Sequence, residues 1–145
     1  MKKDIFKPQK SDYQEIITLW ELSVRATHHF LNEEDIQRYK QLIFNEYLDL
    51  VSLFCIKDKG RIIGFMGLND DEIQMLFIHP DSIGKGIGKQ LLLFAIKAKR
   101  IKKVSVNEQN TQALEFYKHF RFEVTERYAQ DAANKPYPIL GMEIR

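Results

Sequence analysis

The sequence predicts a mixed α/β (α+β) protein with a single, mostly antiparallel central sheet flanked by helices. In the first third of the chain, apolar residues recur at three- and four-residue steps, which is typical of amphipathic helices. Short apolar runs separated by turn residues follow, which is typical of antiparallel strands. A strand, a glycine-rich loop, a long apolar helix and another strand come next. This order predicts a right-handed crossover between two parallel strands.

The N-terminal part predicts a short strand and two helices. The strand is expected at residues 4–8, and Ser11 and Asp12 are suited to cap the helix that follows. A second helix is expected after Asn32, with residues 26–31 joining the two. The apolar positions of the first helix are Ile16, Leu19, Trp20 and Val24.

The remainder of the chain predicts strands interleaved with two helices. Residues 51–57 and 62–68 predict a hairpin in which Gly60 takes the unusual backbone conformation of the turn, and a third strand over 72–79 ends before Pro80. We expect the C-terminal strand to form a sheet edge, where two copies of the chain can pair. The protein is accordingly expected to be a monomer or a homodimer. The further elements are helices at 87–100 and 110–120 and strands at 102–106, 122–128 and 138–144.

Length and composition predict one domain spanning residues 1–145 and exclude several classes of protein. Lys plus Arg total 22 and Asp plus Glu total 20, and a net charge of +2 does not predict nucleic-acid binding. A single cysteine, Cys55, excludes an internal disulfide and a multi-cysteine zinc site, and its apolar neighbours predict a buried thiol. We expect no metal ion. No apolar stretch approaches the roughly 20 residues of a membrane span and no secretory signal is recognisable, so we expect a cytoplasmic protein without a membrane partner.

A glycine-rich loop at residues 83–89 carries the clearest functional signal. Glycines at the start of a helix let an anion approach unpaired backbone N–H groups, and lysines in the loop add positive charge, which favours phosphate or pyrophosphate. Lys89 stands where a dinucleotide fingerprint requires glycine, and Ile83 and Gln90 exclude a Walker A loop. The alternative interpretation is a glycine turn that only permits tight packing of strand against helix.

Two motifs then point to a family. Leu76-Phe77-Ile78-His79-Pro80 precedes Ile83-Gly84-Lys85-Gly86-Ile87-Gly88, and Asn110, Ala113, Phe116, Tyr117 and Phe122 follow at the spacing Asn-x-x-Ala-x-x-Phe-Tyr-x-x-x-x-Phe. Together with the order of elements over essentially the whole chain, they resemble the GNAT superfamily of N-acetyltransferases. The segments SVRATHHFL, VNEQN and KPYPIL resemble its small bacterial YjaB-like branch. Two positions depart from the family pattern: Ile83 replaces the usual Arg or Gln, and Arg121 replaces the usual Gly.

The resemblance implies a GNAT-like acyl-CoA N-acyltransferase fold and acetyl-CoA as cosubstrate. The pyrophosphate would lie on the backbone of Gly84, Lys85, Gly86, Ile87, Gly88 and Lys89. The pantetheine arm would run along Leu76, Phe77 and Ile78, which are alternatively plain buried strand, and Asn110 would bond the arm. Asn110 is also suited to be a helix N-cap, and the two roles are compatible.

The implied reaction is direct attack of a neutral primary amine on the thioester carbonyl. A backbone N–H near Phe77 would stabilise the oxyanion, and Tyr117 would act as general acid to the CoA thiolate. A phenol is suited to that role because its ordinary pKa is about 10, so it is protonated at neutral pH. Spacing alone favours another interpretation, in which Phe116 and Tyr117 are core aromatics of an amphipathic helix.

The general base and the acceptor site stay open at this point. Some family members carry a glutamate where Ser105 stands, and the alternatives for the base are Glu72, Glu108, His28, His29 or a chain of water molecules. The resemblance implies that Thr27, His28, Phe30 and Tyr137 line the amine pocket, although Phe30 and Tyr137 alternatively only pack. The acceptor is then a small-molecule, peptide or protein amine. The second functional hypothesis is a non-catalytic CoA-binding sensor or structural module, which the residue at position 83 favours.

Overall fold

The computed structural model, which describes residues 3–145, confirms the predicted fold class. The strands are β1 (Ile5–Phe6), β2 (Ser52–Asp58), β3 (Arg61–Asn69), β4 (Glu72–Ile78), β5 (Lys103–Asn107), β6 (Phe122–Tyr128) and β7 (Ile139–Ile144). The helices are α1 (Tyr13–Thr27), α2 (Glu33–Leu42), α3 (Leu48–Leu50), α4 (Ile87–Ala98) and α5 (Thr111–His119), and a π-helical turn at Ile43–Tyr47 joins α2 to α3. Within the described range, no helix is both long and apolar enough to cross a lipid bilayer.

The two N-terminal helices begin at different kinds of cap. Helix α2 follows Asn32 as predicted, and Asn32 caps it, because its side-chain oxygen accepts a hydrogen bond from the Asp35 N–H at 2.8 Å. Asp12 precedes α1, but its carboxylate accepts from the Gln9 N–H at 2.9 Å and makes no bond to the helix. The prediction that Ser11 or Asp12 caps α1 through its side chain is therefore wrong. Asp12 instead closes the short 3-10 turn that leads into the helix.

The sheet order is β1-β2-β3-β4-β5-β7-β6. The turn between β2 and β3 contains Lys59 and Gly60 with φ of 52° and 79°, which confirms the predicted hairpin. β7 pairs antiparallel with both β5 and β6, so the prediction that the C-terminal strand is a sheet edge is wrong. Leu140 and Met142 of β7 are buried, whereas every residue of β6 after Phe122 is exposed, and β6 forms that edge. The reason is that the chain returns from the edge strand to fill the space beside β5.

Helices cover both faces of the sheet and create one apolar cluster on each. On one face α4 packs through Leu91, Leu92 and Ala95. On the other face α1 packs through Ile16, Trp20 and their neighbours against residues that include Cys55. The Cys55 side chain is fully buried, as predicted, and burial raises its pKa to about 12.

The start of α4 lies very close to the sheet. A Cβ atom on Gly64 of β3 would lie 2.8 Å from Cγ2 of Ile87, the first residue of α4. Only glycine allows this approach without displacing the helix. The close contact places the N-terminus of α4 beside the end of β4, where the glycine-rich loop connects the two elements.

Candidate active site

The glycine-rich loop presents its backbone to open space. Gly84 and Gly86 have φ of 82° and 83°, and a Cβ atom built on either would meet no heavy atom within 4 Å. Gly88 alone meets ordinary packing, with Phe116 at 3.5 Å from such a Cβ. Tight packing therefore does not explain the first two glycines. The left-handed backbone conformation explains why glycine stands at Gly84 and Gly86. This conformation turns the chain into α4, so that the unpaired first-turn N–H groups lie at the loop surface.

The loop forms one wall of a cavity of about 490 Å³, which we call the loop cavity. Helix α5, the end of β4 and the C-terminal end of α1 form the other walls. Lys85 is not among the lining residues. The cavity does bring together nine of the predicted coenzyme-binding residues, namely Leu76, Phe77, Ile78, Gly84, Gly86, Ile87, Gly88, Lys89 and Asn110.

The sheet opens beside this cavity because β4 and β5 diverge. Their parallel pairing covers only Glu72 with Lys103 and Ile73 with Val104, so the second half of β4 is paired with β3 alone. The residue after β4, His79, donates its N–H to the Ile63 carbonyl on the β3 side at 2.8 Å.

Backbone groups along a strand point alternately to its two sides. The backbone N–H and C=O groups of His79 point to β3, so those of Phe77, two residues earlier, also point to β3. The backbone groups of Leu76 and Ile78 therefore face the gap. The hydrogen-bond donor expected near Phe77 is therefore the N–H of one of its two neighbours. This alternation is set by strand register, which the sequence does not display.

Asn110 and Tyr117 lie on the α5 side of the loop cavity. The Asn110 side-chain oxygen accepts from the Ala113 N–H at 3.2 Å, so the residue is the N-cap of α5 and its side-chain NH₂ group can still donate. The Tyr117 ring packs edge-on against Phe116 and Phe122, with centroids 5.2 and 5.7 Å away, and is 5% exposed. Burial raises the pKa of Tyr117, which keeps its phenol protonated.

The Tyr117 hydroxyl group remains available. It makes no hydrogen bond to another of residues 3–145. Within that range every fully enclosed side-chain oxygen or nitrogen has a hydrogen-bond partner, so a hydroxyl without a partner is not fully enclosed. The hydroxyl therefore reaches the surface of the loop cavity. Tyr117 is thus a core aromatic whose hydroxyl group faces that cavity.

A second cavity of about 630 Å³ lies beyond the gap, and we call it the aromatic cavity. His28 and Phe77 line both cavities, so the two meet at these side chains. Of the residues predicted for the acceptor site, Tyr137 lines the aromatic cavity, whereas Thr27 lines the loop cavity. Phe30 lines neither, but its ring lies 5.3 Å from His28 and 5.7 Å from Tyr137. The aromatic rings around the cavity are those of Trp20, Tyr39, Tyr47, Phe77, Tyr128 and Tyr137.

The candidate bases have different surroundings. Glu108 forms a two-point ion pair with Arg127 at 2.8 and 3.1 Å, which lowers its pKa and weakens it as a base. His28 is 6% exposed, and burial, with a smaller contribution from His29, lowers its pKa to about 4. His29 is exposed and lines neither cavity.

Glu72 does not line the aromatic cavity itself but forms hydrogen bonds with two residues that do. Its carboxylate accepts from the hydroxyl of Ser105 and from the side-chain NH₂ of Gln74, and both of these residues line the aromatic cavity. A carboxylate on β4 thus stands against the serine on β5, a pairing that sequence reasoning missed because the two are 33 residues apart. Within residues 3–145, no cluster of three or more His, Cys, Asp or Glu side chains is arranged to hold a metal ion.

The loop between β6 and β7 is fastened over the aromatic cavity by helix α2. Tyr137 donates its hydroxyl to the Asp35 carboxylate, and Lys135 lies 3.3 Å from the same group. Tyr39 donates in the same way to Asp131 of the loop. The bond to Asp35 raises the pKa of Tyr137 to about 12, so the phenol remains a donor. We call this set of contacts the loop latch; it was not predicted, because its partners are about 100 residues apart.

Asp35→Ala is expected to release the loop latch and leave the sheet intact. Losing the acceptor for Tyr137 and the partner of Lys135 removes about 1–3 kcal/mol of local stability. Hydrogen exchange followed by mass spectrometry should show faster exchange over residues 129–138. Glu34→Ala is the matched control, because it removes the same charge from the first turn of α2 at an exposed position. Equal exchange in the two variants would contradict the latch.

Comparison with known proteins finds relatives of similar sequence and similar fold. A family model described as the acetyltransferase (GNAT) domain matches residues 49–124. Peptidyl-lysine N-acetyltransferase YjaB of Salmonella typhimurium is 36% identical over 143 residues, which cover 98% of each chain. The solution structure of apo-form YjaB from Escherichia coli has a TM-score of 0.88 at 33% identity, covering 99% of this chain and 97% of that one. The PaiA N-acetyltransferase of Thermoplasma acidophilum, solved in complex with coenzyme A, shares the fold, with a TM-score of 0.76, 22% identity and 99% of each chain covered.

Proposed function

This chain belongs to the GNAT family of acetyltransferases, and we propose that it transfers the acetyl group of acetyl-CoA to the side-chain amine of a peptidyl lysine. Membership confirms the family that the two sequence motifs indicated, including its YjaB-like branch, and makes the protein an N-acetyltransferase. The observation that carries the specific proposal is the meeting of two cavities at Phe77 and His28, beside the gap between β4 and β5. Residues 1–145 would act as one N-acetyltransferase domain.

The loop cavity is the site proposed for acetyl-CoA. The pyrophosphate would lie on the backbone of residues 84–89, where the helix N-terminus favours negative charge and no Cβ atom obstructs Gly84 or Gly86. The pantetheine arm would run along β4 and bond the peptide groups of Leu76 and Ile78 as an added strand. The free NH₂ group of Asn110 would donate to the arm. Ile83, although it replaces a polar family residue, leaves these backbone donors unchanged.

The aromatic cavity is the site proposed for the acceptor. Its aromatic and aliphatic walls suit the apolar four-carbon stem of lysine, whose amine would extend toward Phe77. The relatives that are 36% and 33% identical to this chain are named peptidyl-lysine N-acetyltransferases, which supports the same acceptor here. The loop latch holds the β6–β7 loop along one wall of this cavity.

The proposed reaction moves two protons. As the amine nitrogen forms its bond to the thioester carbon, an N–H of Leu76 or Ile78 stabilises the oxygen that becomes negative. Glu72 takes the amine proton through the solvent next to Ser105. When the carbon–sulfur bond breaks, Tyr117 gives its phenol proton to the CoA thiolate. The proton held by Glu72 then passes through water to the Tyr117 phenolate, which restores both groups, while the proton that Tyr117 gave up stays on the CoA thiol.

A direct test is incubation of the protein with acetyl-CoA and a lysine-containing peptide whose N-terminus is blocked. We expect release of CoA thiol and, by mass spectrometry, one acetyl group on the lysine. The same peptide with lysine replaced by arginine should remain unmodified. Binding of acetyl-CoA without transfer to any amine would contradict the proposal and support the non-catalytic CoA-binding module.

A further inference from the structure

The hydrogen bonds of His28 determine which of its ring nitrogens carries the proton. Its Nδ1 lies 2.7 Å from Oγ1 of Thr27, and that oxygen lies 2.8 Å from the carbonyl oxygen of Ser23. Because a carbonyl can only accept, the one hydroxyl proton of Thr27 goes to Ser23. Thr27 must therefore accept from His28, so the neutral imidazole is protonated on Nδ1 and carries its lone pair on Nε2.

The lone pair on Nε2 is held at the junction of the two cavities. No hydrogen bond joins Nε2 to another of residues 3–145, and no enclosed side-chain nitrogen in that part of the chain lacks a partner, so Nε2 reaches the cavity surface. The ring is packed beside Phe30 and Phe77, with centroids 5.3 and 6.0 Å away, which fixes its plane. Because burial lowers its pKa to about 4, the imidazole stays neutral at neutral pH.

We propose that Nε2 of His28 accepts a hydrogen bond from the acceptor amine and so turns the amine lone pair toward the thioester. The inference rests on the proposed function, since it assumes that acetyl-CoA and the amine meet at Phe77. A neutral primary amine has two N–H groups and one lone pair. Fixing one N–H at Nε2 restricts rotation of the amine and leaves its lone pair directed at the carbonyl carbon.

The role of Thr27 follows from the same geometry. With the opposite tautomer, Nε2 would carry a proton and would donate it to the amine lone pair, which would block attack. Thr27 prevents this by accepting from Nδ1, although it lines the loop cavity and not the aromatic cavity. His28 thus orients the amine, and Glu72 remains the group that takes its proton.

Substitutions at His28 separate a hydrogen-bond acceptor from a space-filling ring. His28→Gln places an amide oxygen near the position of Nε2, whereas His28→Leu fills the space without an acceptor. We expect kcat/KM for the lysine peptide to stay within about threefold of the wild type in the Gln variant and to fall about tenfold in the Leu variant. Both variants are measured at saturating acetyl-CoA, and their circular-dichroism spectra should match that of the wild type, which shows that each is folded.

Thr27→Val tests the tautomer with little change in shape. We expect it to lower kcat/KM for the peptide, measured at saturating acetyl-CoA, about threefold or more. Thr18→Val is the matched control, because Thr18 makes the same bond to a carbonyl four residues earlier, at 2.9 Å, on an exposed part of α1. The ¹⁵N chemical shifts of the His28 ring should show a proton on Nδ1 in the wild type and loss of this preference in Thr27→Val.

The outcomes are distinct. A proton on Nε2 in the free wild-type protein overturns the inference, and so does a Leu variant as active as the wild type. A Gln variant as impaired as the Leu variant also overturns it, since shape alone would then matter. If the wild type binds acetyl-CoA and acetylates the peptide, the proposed function stands whatever these variants show. If the wild type acetylates no amine, the proposed function fails and the inference fails with it.

Discussion

Tyr117→Phe is expected to lower kcat for acetyl transfer by about 100-fold, the effect typical of losing a positioned general acid. The phenyl ring keeps the packing against Phe116 and Phe122, and only the hydroxyl that faces the loop cavity is lost. The CoA thiolate must then leave without a proton donor, so the chemical step is slowed while binding is kept. Steady-state kinetics with the lysine peptide, together with calorimetry for acetyl-CoA, measure the two quantities separately.

Tyr13→Phe is the matched control for this substitution. It also removes one phenol hydroxyl, but that hydroxyl bonds Leu48 and Asp49, and none of these three residues lines either cavity. We expect its kcat to equal that of the wild type. Because burial raises the pKa of Tyr117 above the ordinary value of a phenol, alkaline loss of its proton should not limit turnover below about pH 10. A Tyr117→Phe variant that turns over as fast as the wild type would remove Tyr117 from the mechanism.

Gly86→Ala is expected to raise the Kd of acetyl-CoA about tenfold or more. The Gly86 backbone has φ of 83°, which costs a residue with a Cβ atom about 1 kcal/mol. The new methyl group would also project into the open space over the loop, where the pyrophosphate is proposed to approach. Relaxation of the strained loop would in addition turn the N–H groups of the first turn of α4 away from the phosphates. Calorimetric titration with acetyl-CoA measures the change in Kd.

Gly60→Ala distinguishes loss of the binding site from loss of stability. Gly60 has φ of 79° and a similarly open surrounding, but it lies in the β2–β3 turn. Both variants should lose a similar free energy of unfolding, about 1 kcal/mol, and only Gly86→Ala should weaken acetyl-CoA binding. An equal effect on Kd at both positions would mean that general strain, and not the loop, controls affinity.

Local features of the chain could be predicted because their physical causes are local. The caps at Asn32 and Asn110 depend on a side chain and an N–H three residues later, and the turn at Gly60 depends on one backbone dihedral angle. The conformation of the glycine-rich loop follows in the same way. At Arg121, where the family usually carries glycine, φ is 72°, so the backbone keeps the conformation that a glycine would adopt without strain.

Features that depend on register and on distant pairing could not be predicted. The insertion of β7 beside β5, the contact of Glu72 with Ser105 and the loop latch all join residues that are far apart in the sequence. The role of Tyr117 could be predicted only in part from the residues themselves. Its helical spacing indicates only a core aromatic, and the resemblance to the family motif is what singled it out as a proton donor.

The proposed mechanism depends on the claim that acetyl-CoA binds at the glycine-rich loop, and backbone amide NMR during titration with acetyl-CoA measures this binding residue by residue. The largest chemical-shift changes should fall on residues 84–89, with further changes at Leu76, Ile78 and Asn110, while the turn at Gly60 stays unchanged. The first-turn amides of α4 have no partner within the helix, so a bound pyrophosphate must alter them strongly. Changes confined to other parts of the chain, or no change at saturating acetyl-CoA, would contradict the claim.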